Sequence, residues 1–178
     1  MKEIIAQTIG IIACTVAVLS FQCKKNKYLF LMQALSGLLF SMNYFLIGAI
    51  PGALFNLTSL VRGTLLSKNG KKLWKVFVIN ALFTLCFAYS VSLLAGDWLQ
   101  IFLSSLTFLG LIFMTVFMYK GNAKHIRYFQ VAFASPSWLI YNVVNFTLGG
   151  ILCEVFNMAS VGIYFLRCRN DAKKQVKA

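Results

Sequence analysis

Between Ile4 and Leu166 the chain is a succession of apolar runs, several close to 20 residues long, with most charged residues confined to the gaps between them. A helix of about 20 apolar residues spans the ~30 Å hydrocarbon core of a bilayer. Hydrophobic residues make up 60% of the chain and charged ones 12%. That is about half the charge usual in a soluble domain, and a soluble domain of 178 residues could not bury so much apolar surface. The first run, MKEIIAQTIGIIACTVAVLSF, lacks a small-residue cleavage site before the basic KKNK. It reads as a retained spanning helix.

Seven spans are expected: Ile4–Phe21, Tyr28–Ile47, Gly52–Leu66, Leu73–Ala95, Trp98–Tyr119, Tyr128–Leu148 and Ile151–Leu166. The third and seventh are short. The turns before them, GAIPG and TLGG, hold helix breakers, so each reads as part of a tight helical hairpin. The basic residues test this count. Clusters lie at Lys24, Lys25 and Lys27; at Arg62, Lys68, Lys71, Lys72 and Lys75; at Lys120, Lys124 and Arg127; and at Arg167, Arg169, Lys173, Lys174 and Lys177. Only Lys2 of the 17 falls elsewhere. Basic loops stay cytoplasmic during insertion, so seven crossings, an outside amino terminus and a cytoplasmic carboxyl terminus follow. Arg62 is read here as one of these orienting charges.

The net charge of +13 is thereby explained as orientation and attraction to anionic lipid, without nucleic acid as a partner. His125 has no companion ligand nearby in sequence, and Cys14, Cys23, Cys86, Cys153 and Cys168 include no CxxC pair. No metal, cofactor or disulfide is expected. With no His/Cys/Asp/Glu cluster and no serine beside an evident base, an enzyme is not expected either.

An internal repeat emerges when FLIGAIPGALFNLTSLV (45 to 61) is set beside FTLGGILCEVFNMASVG (146 to 162). At an offset of 101 the pairs are Phe45/Phe146, Gly48/Gly149, Phe55/Phe156, Asn56/Asn157 and Ser59/Ser160. A repeat of this kind implies an all-α membrane fold of two like-oriented three-helix bundles, residues 1–66 and 98–178, joined by a linker helix at 67–97. Polar residues occupy matching places in both halves. Ser135, Trp138, Tyr141, Asn142 and Asn145 share one stripe of the sixth helix, and Gln33, Ser36, Gly37, Phe40 and Tyr44 one stripe of the second. Asn56 and Asn157 then fall near the axis between the halves. Two readings are open. The stripes line a solute cavity, or they hydrogen-bond the helices together at roughly 0.6–2 kcal/mol per bond.

Glu154 is the one acidic residue well inside an expected span. One reading makes it a protonatable group that couples solute movement to a proton. The other places it in the first turn of the seventh helix, where the helix dipole favours a carboxylate.

The run SPSWLIYN (135 to 142), the length and the paired Phe-Asn motifs resemble the bacterial inner membrane family called YgjV, which is itself distantly similar to SWEET and PQ-loop transporters. That resemblance implies an inner-membrane location and a pocket using Asn56 and Asn157 with Phe40 and Tyr141 beside them and Trp138 covering a sugar face. The Pro-Gln motif of PQ-loop proteins is absent from the first and fifth spans, so hinging at proline is not expected. The expected function is a carrier for a small polar, sugar-like solute using Asn56, Asn157, Phe40, Tyr141, Trp138, Asn142 and Asn145, with Glu154 for coupling. The alternative is a non-transporting module that binds a lipid or protein partner.

Overall fold

A computed structural model describes residues 1–20, 26–67, 72–121 and 123–177. The described residues form seven helices and no strand. They are α1 (Lys2–Ser20), α2 (Asn26–Ile47), α3 (Ile50–Ser67), α4 (Leu73–Leu93), α5 (Trp98–Lys120), α6 and α7 (Leu148–Lys177). Helix α6 runs through Ala123–Phe129, a π turn at Gln130–Ala134 and Ser135–Val144. Of the expected features, Phe21, Cys23, Lys24, Lys25, Lys68 and Lys71 lie outside the described residues.

The four stretches Lys2–Ser20, Leu73–Leu93, Trp98–Lys120 and Leu148–Leu166 are each long and apolar enough to cross a membrane, and Met32–Ile47 is a shorter apolar stretch. Large apolar side chains such as Phe77, Leu85 and Phe102 are left exposed, as suits a surface in contact with acyl chains. The seventh helix is longer than expected. It begins at Leu148, three residues before the expected start, and continues past Leu166 to Lys177.

Contacts close a ring. Helix α1 packs on α2, α2 on α3, α3 on α5, α5 on α6, α6 on α7, and α7 back on α1. Helix α4 packs outside the ring, against α3 and α5. Lys75 in its first turn reaches Leu65 O of α3 at 2.9 Å, giving one of the terminal carbonyls of α3 a donor.

Small and polar residues set the closest approaches, as they do where apolar burial alone does not drive helices together in lipid. A Cβ on Gly149 would overlap the backbone of Gly10, so only glycine lets α7 lie this close to α1. Asn43 donates to Ala6 O at 2.6 Å, Ser36 to Ala13 O at 2.9 Å and Ser41 to Ala53 O at 3.0 Å. For these three side chains the gluing role is the observed one. Gln7 of α1 clamps the α6–α7 turn, donating to Phe146 O and accepting from Leu148 N–H at 3.0 Å.

The two hairpin turns have the same hydrogen bonds. In the first, Gly48 N–H donates to Phe45 O at 3.2 Å and Ala49 N–H to Tyr44 O at 2.9 Å. In the second, Phe146 N–H donates to Val143 O at 3.2 Å and Thr147 N–H to Asn142 O at 2.9 Å. Gly48 and Phe146 both have positive φ, 84° and 52°. The turns therefore correspond at the spacing of Tyr44 and Asn142, which is 98 residues, and the offset of 101 is corrected. Burial agrees: at 101 Phe55, fully buried, would be paired with Phe156, 53% exposed. Gly149, matched to Gly48 by type, serves helix packing instead of the turn.

Candidate functional site

A cavity of about 360 Å³ lies between the helices of the ring, within the volume range of small-molecule sites. Its wall is built from α2, α3, α5, α6 and α7, with Ala17 of α1. Along α3, Asn56, Ser59 and Arg62 face it at three-residue intervals. Along α7, Glu154 and Asn157 do the same. The turn correspondence pairs Asn56 with Glu154 and Ser59 with Asn157. Each pair sits at one depth, about 9 and 13 Å along its helix at ~1.5 Å per residue.

Phe40 and Trp138 occupy matching places on α2 and α6 and both reach the wall. Gln33 and Gln130 also reach it. Those two are 97 residues apart rather than 98, as the extra residue of the π turn at Gln130–Ala134 requires.

One end of the cavity is sealed at the hairpin turns. Tyr44 donates its hydroxyl to Asn142 Oδ1 at 2.5 Å, and Thr147 donates to the same oxygen at 2.7 Å. Gly52 N–H donates to the Tyr141 hydroxyl at 3.0 Å. Tyr44, Tyr141, Asn142 and Thr147 are all buried, and the rings of Tyr44, Tyr141 and Trp138 pack within about 6 Å of one another. Tyr44 and Asn142 are counterparts in the two hairpins, and they bond directly to each other. Gly52 and Gly150 allow this layer to close: a Cβ on Gly52 would sit 2.8 Å from the Tyr44 ring, and one on Gly150 would sit 2.6 Å from the Asn142 amide.

The expected site residues divide accordingly. Phe40, Asn56, Trp138, Asn142, Glu154 and Asn157 line the cavity. Tyr141 is fully buried in the sealing layer. Asn145 lies off the wall, where its Oδ1 accepts from Gln100 Nε2 of α5 at 3.1 Å. Among the described residues, Asn56 and Asn157 make no hydrogen bond to another helix. Asn56 donates to Gly52 O at 2.9 Å within α3, and Asn157 touches Cys153 Sγ at 4.0 Å and Glu154 Oε2 at 3.5 Å within α7. Glu154 is six residues beyond Leu148, past the first turn in which the dipole acts.

Arg62 was read from the sequence as an orienting charge, and its position corrects that. It lies on the cavity wall, with Nη1 3.5 Å from Leu111 O, Nη2 3.4 Å from Ser59 Oγ and its guanidinium 5.6 Å from the Phe83 ring centre. The only signal in the sequence was its place four residues inside the expected end of the third span. Cys14, Cys86 and Cys153 are free thiols.

A family profile described as Imp-YgjV, bacterial inner membrane protein, matches residues 4–172. No curated protein and no solved structure matches the chain. The match covers nearly the whole length, and the apolar helices suit a protein held in a bilayer. The chain belongs to the Imp-YgjV family of bacterial inner membrane proteins.

Proposed function

We propose that this chain is a non-enzymatic carrier for a small polar solute, which occupies the cavity between two like-oriented halves, residues 1–66 and 98–178, with 67–97 as a linker. The carrying observation is the state of Asn56 and Asn157. Both are inside the protein at membrane depth, both face the cavity, and neither is used to join helices. Amides so placed are costly in hydrocarbon and are left to a solute or to water. The packing reading is supported for Ser36, Ser41 and Asn43, which do join helices, but not for this pair.

The ring of contacts and the matching turns support the division into halves, because α1–α2, α2–α3 and α3–α5 recur as α5–α6, α6–α7 and α7–α1. The basic clusters support an amino terminus outside and a carboxyl terminus in the cytoplasm. The sealed layer then faces outside. Solute exchange requires the Tyr44–Asn142 contact to part, after which the halves rock about the site.

Glu154 faces the same cavity as Tyr44, Arg62 and Cys153 and is the acidic group available to take a proton during exchange. Uptake of a panel of small solutes into proteoliposomes tests the carrier reading. The expected result is accumulation of at least one solute, reduced about tenfold or more in Asn157→Ala by loss of solute hydrogen bonds. No uptake of any solute would overturn it. Glu154→Gln is expected to abolish the pH dependence of uptake, and an unchanged pH profile would remove the proton-coupling role.

A further inference from the structure

We infer that the cavity is built for an anion: a small solute carrying a carboxylate or phosphate, held by Arg62. This rests on the carrier reading and narrows its substrate class.

Arg62 lies twelve residues into α3, about 18 Å from the hairpin end at ~1.5 Å per residue, so it is well inside a ~30 Å hydrocarbon core. Its Nε is buried and has no hydrogen-bond partner, and its two remaining bonds are long, 3.5 Å and 3.4 Å. Among the side chains described, none supplies it a counter-charge. The chain has four acidic residues. Glu3 is in the first turn of α1, Asp97 caps α5 by accepting from Gln100 N–H at 3.0 Å, and Asp171 lies near the end of α7. Glu154 shares the cavity, but its hydrogen bonds go to Asn157 at 3.5 Å on its own helix and to Ser135 of α6, not to Arg62. A guanidinium at membrane depth without an ion pair is costly to keep, and its planar fork matches an oxyanion.

The rest of the wall suits the remainder of such a solute. Ser59, one turn from Arg62 on the same face, offers a hydroxyl to the oxyanion. Asn56, Asn157 and Gln130 offer amides to hydroxyl groups, and Trp138 offers a ring face to the carbon skeleton. Bound oxyanion would replace the long contacts of Arg62 with short charge-assisted bonds. The bound solute would also place one negative charge on each side of the cavity when Glu154 is ionised, so protonation of Glu154 and anion occupancy favour each other.

The test uses the full chain purified in detergent with zwitterionic lipid and measures ligand-induced thermal stabilisation. The probes are inorganic phosphate, lactate and gluconate against the uncharged glycerol and sorbitol. At least one anion should stabilise the protein where its uncharged counterpart does not. Its apparent affinity should fall about tenfold or more in Arg62→Gln, the effect of losing a charged hydrogen-bonding partner, and less in Arg62→Lys, which keeps the charge but not the fork. Retained folding of both variants is checked by elution profile, and Arg62→Lys keeps the test open if Arg62→Gln does not fold. Equal binding of anions by wild type and both variants would overturn the proposal, as would absence of stabilisation by any anion. Stabilisation by sorbitol alone, lost in Asn157→Ala, would overturn the anion but keep the carrier. Stabilisation by phosphatidylglycerol but by none of the soluble anions would assign Arg62 to a lipid headgroup and overturn the solute.

Discussion

Single residues set how close the helices come and what they leave open. Gly149 is the clearest case, because its missing Cβ is what admits the backbone of Gly10. Gly149→Ala should destabilise the folded protein by about 1–3 kcal/mol, the usual cost of forcing extra volume into a packed contact. Gly63→Ala, where a Cβ would meet nothing within 4 Å, should be neutral or slightly stabilising through helix propensity. Thermal unfolding of the two variants in detergent checks the contrast, and equal losses would contradict it. At this scale the sequence was informative about residue type and poor about use. The stripe on α6 was legible, yet it mixes residues of different fates. Trp138 and Asn142 reach the cavity, Tyr141 seals its end, and Asn145 ties α6 to α5. A 3.6-residue period gives a face about 100° wide, which does not separate the centre of a stripe from its flank. Arg62 was hidden for another reason. It leads a basic run that continues to Lys75, and the inside-positive rule explains such a run without any need for burial.

At the level of elements, the turns and the π turn fix the register between the two helical hairpins. Both hairpins place a residue of the turn in a left-handed conformation, but one uses Gly48 and the other Phe146. Matching by residue type therefore aligned Gly48 with Gly149 and missed the register by three. A search for hydrogen-bonding position would have found it, and type similarity could not. The π turn at Gln130–Ala134 adds one residue to α6, a common device at functional sites. It sets Gln130 and Trp138 on the same cavity wall. Deleting Val131 should let this stretch relax to a regular α-helix with Gln130 and Trp138 seven residues apart, the spacing of Gln33 and Phe40 on α2, so both stay on the wall. Inserting an alanine after Val131, beyond what the π turn absorbs, should instead rotate one part of α6 by about 100° against the other. Both variants should remain in the membrane, with solute stabilisation kept in the deletion and lost in the insertion. The same ligand response in the two variants would show that the register set by the π turn has no part in shaping the wall. The limits at the first hairpin were legible, with α2 ending at Ile47 and α3 starting at Ile50, because Gly48 and Pro51 mark the break. At the second, α6 ends at Val144, four residues before the expected Leu148, because Gly149 and Gly150 lie inside α7 and do not form the turn. The long extension of α7 to Lys177 was not legible, since its polar composition resembles a tail and a helix that leaves the bilayer needs no apolar face.

For the whole molecule, the apolar runs made a helical membrane protein legible from composition alone; the basic clusters gave seven expected crossings, and the described residues form seven helices, with four stretches long and apolar enough to cross. The cavity was not legible in that sense. It exists because α3 and α7 carry their polar ladders to the same space within one ring of helices, and pattern along a chain does not report which ladders meet. The account depends on that space being the route of the solute. The direct measurement is uptake into proteoliposomes by variants that fill it: Ser59→Trp on α3 and Asn157→Trp on α7, each with normal insertion and elution. Both should reduce uptake of a solute carried by the wild type to the level of empty vesicles. Uptake that persists undiminished with the cavity filled from either side would contradict the account.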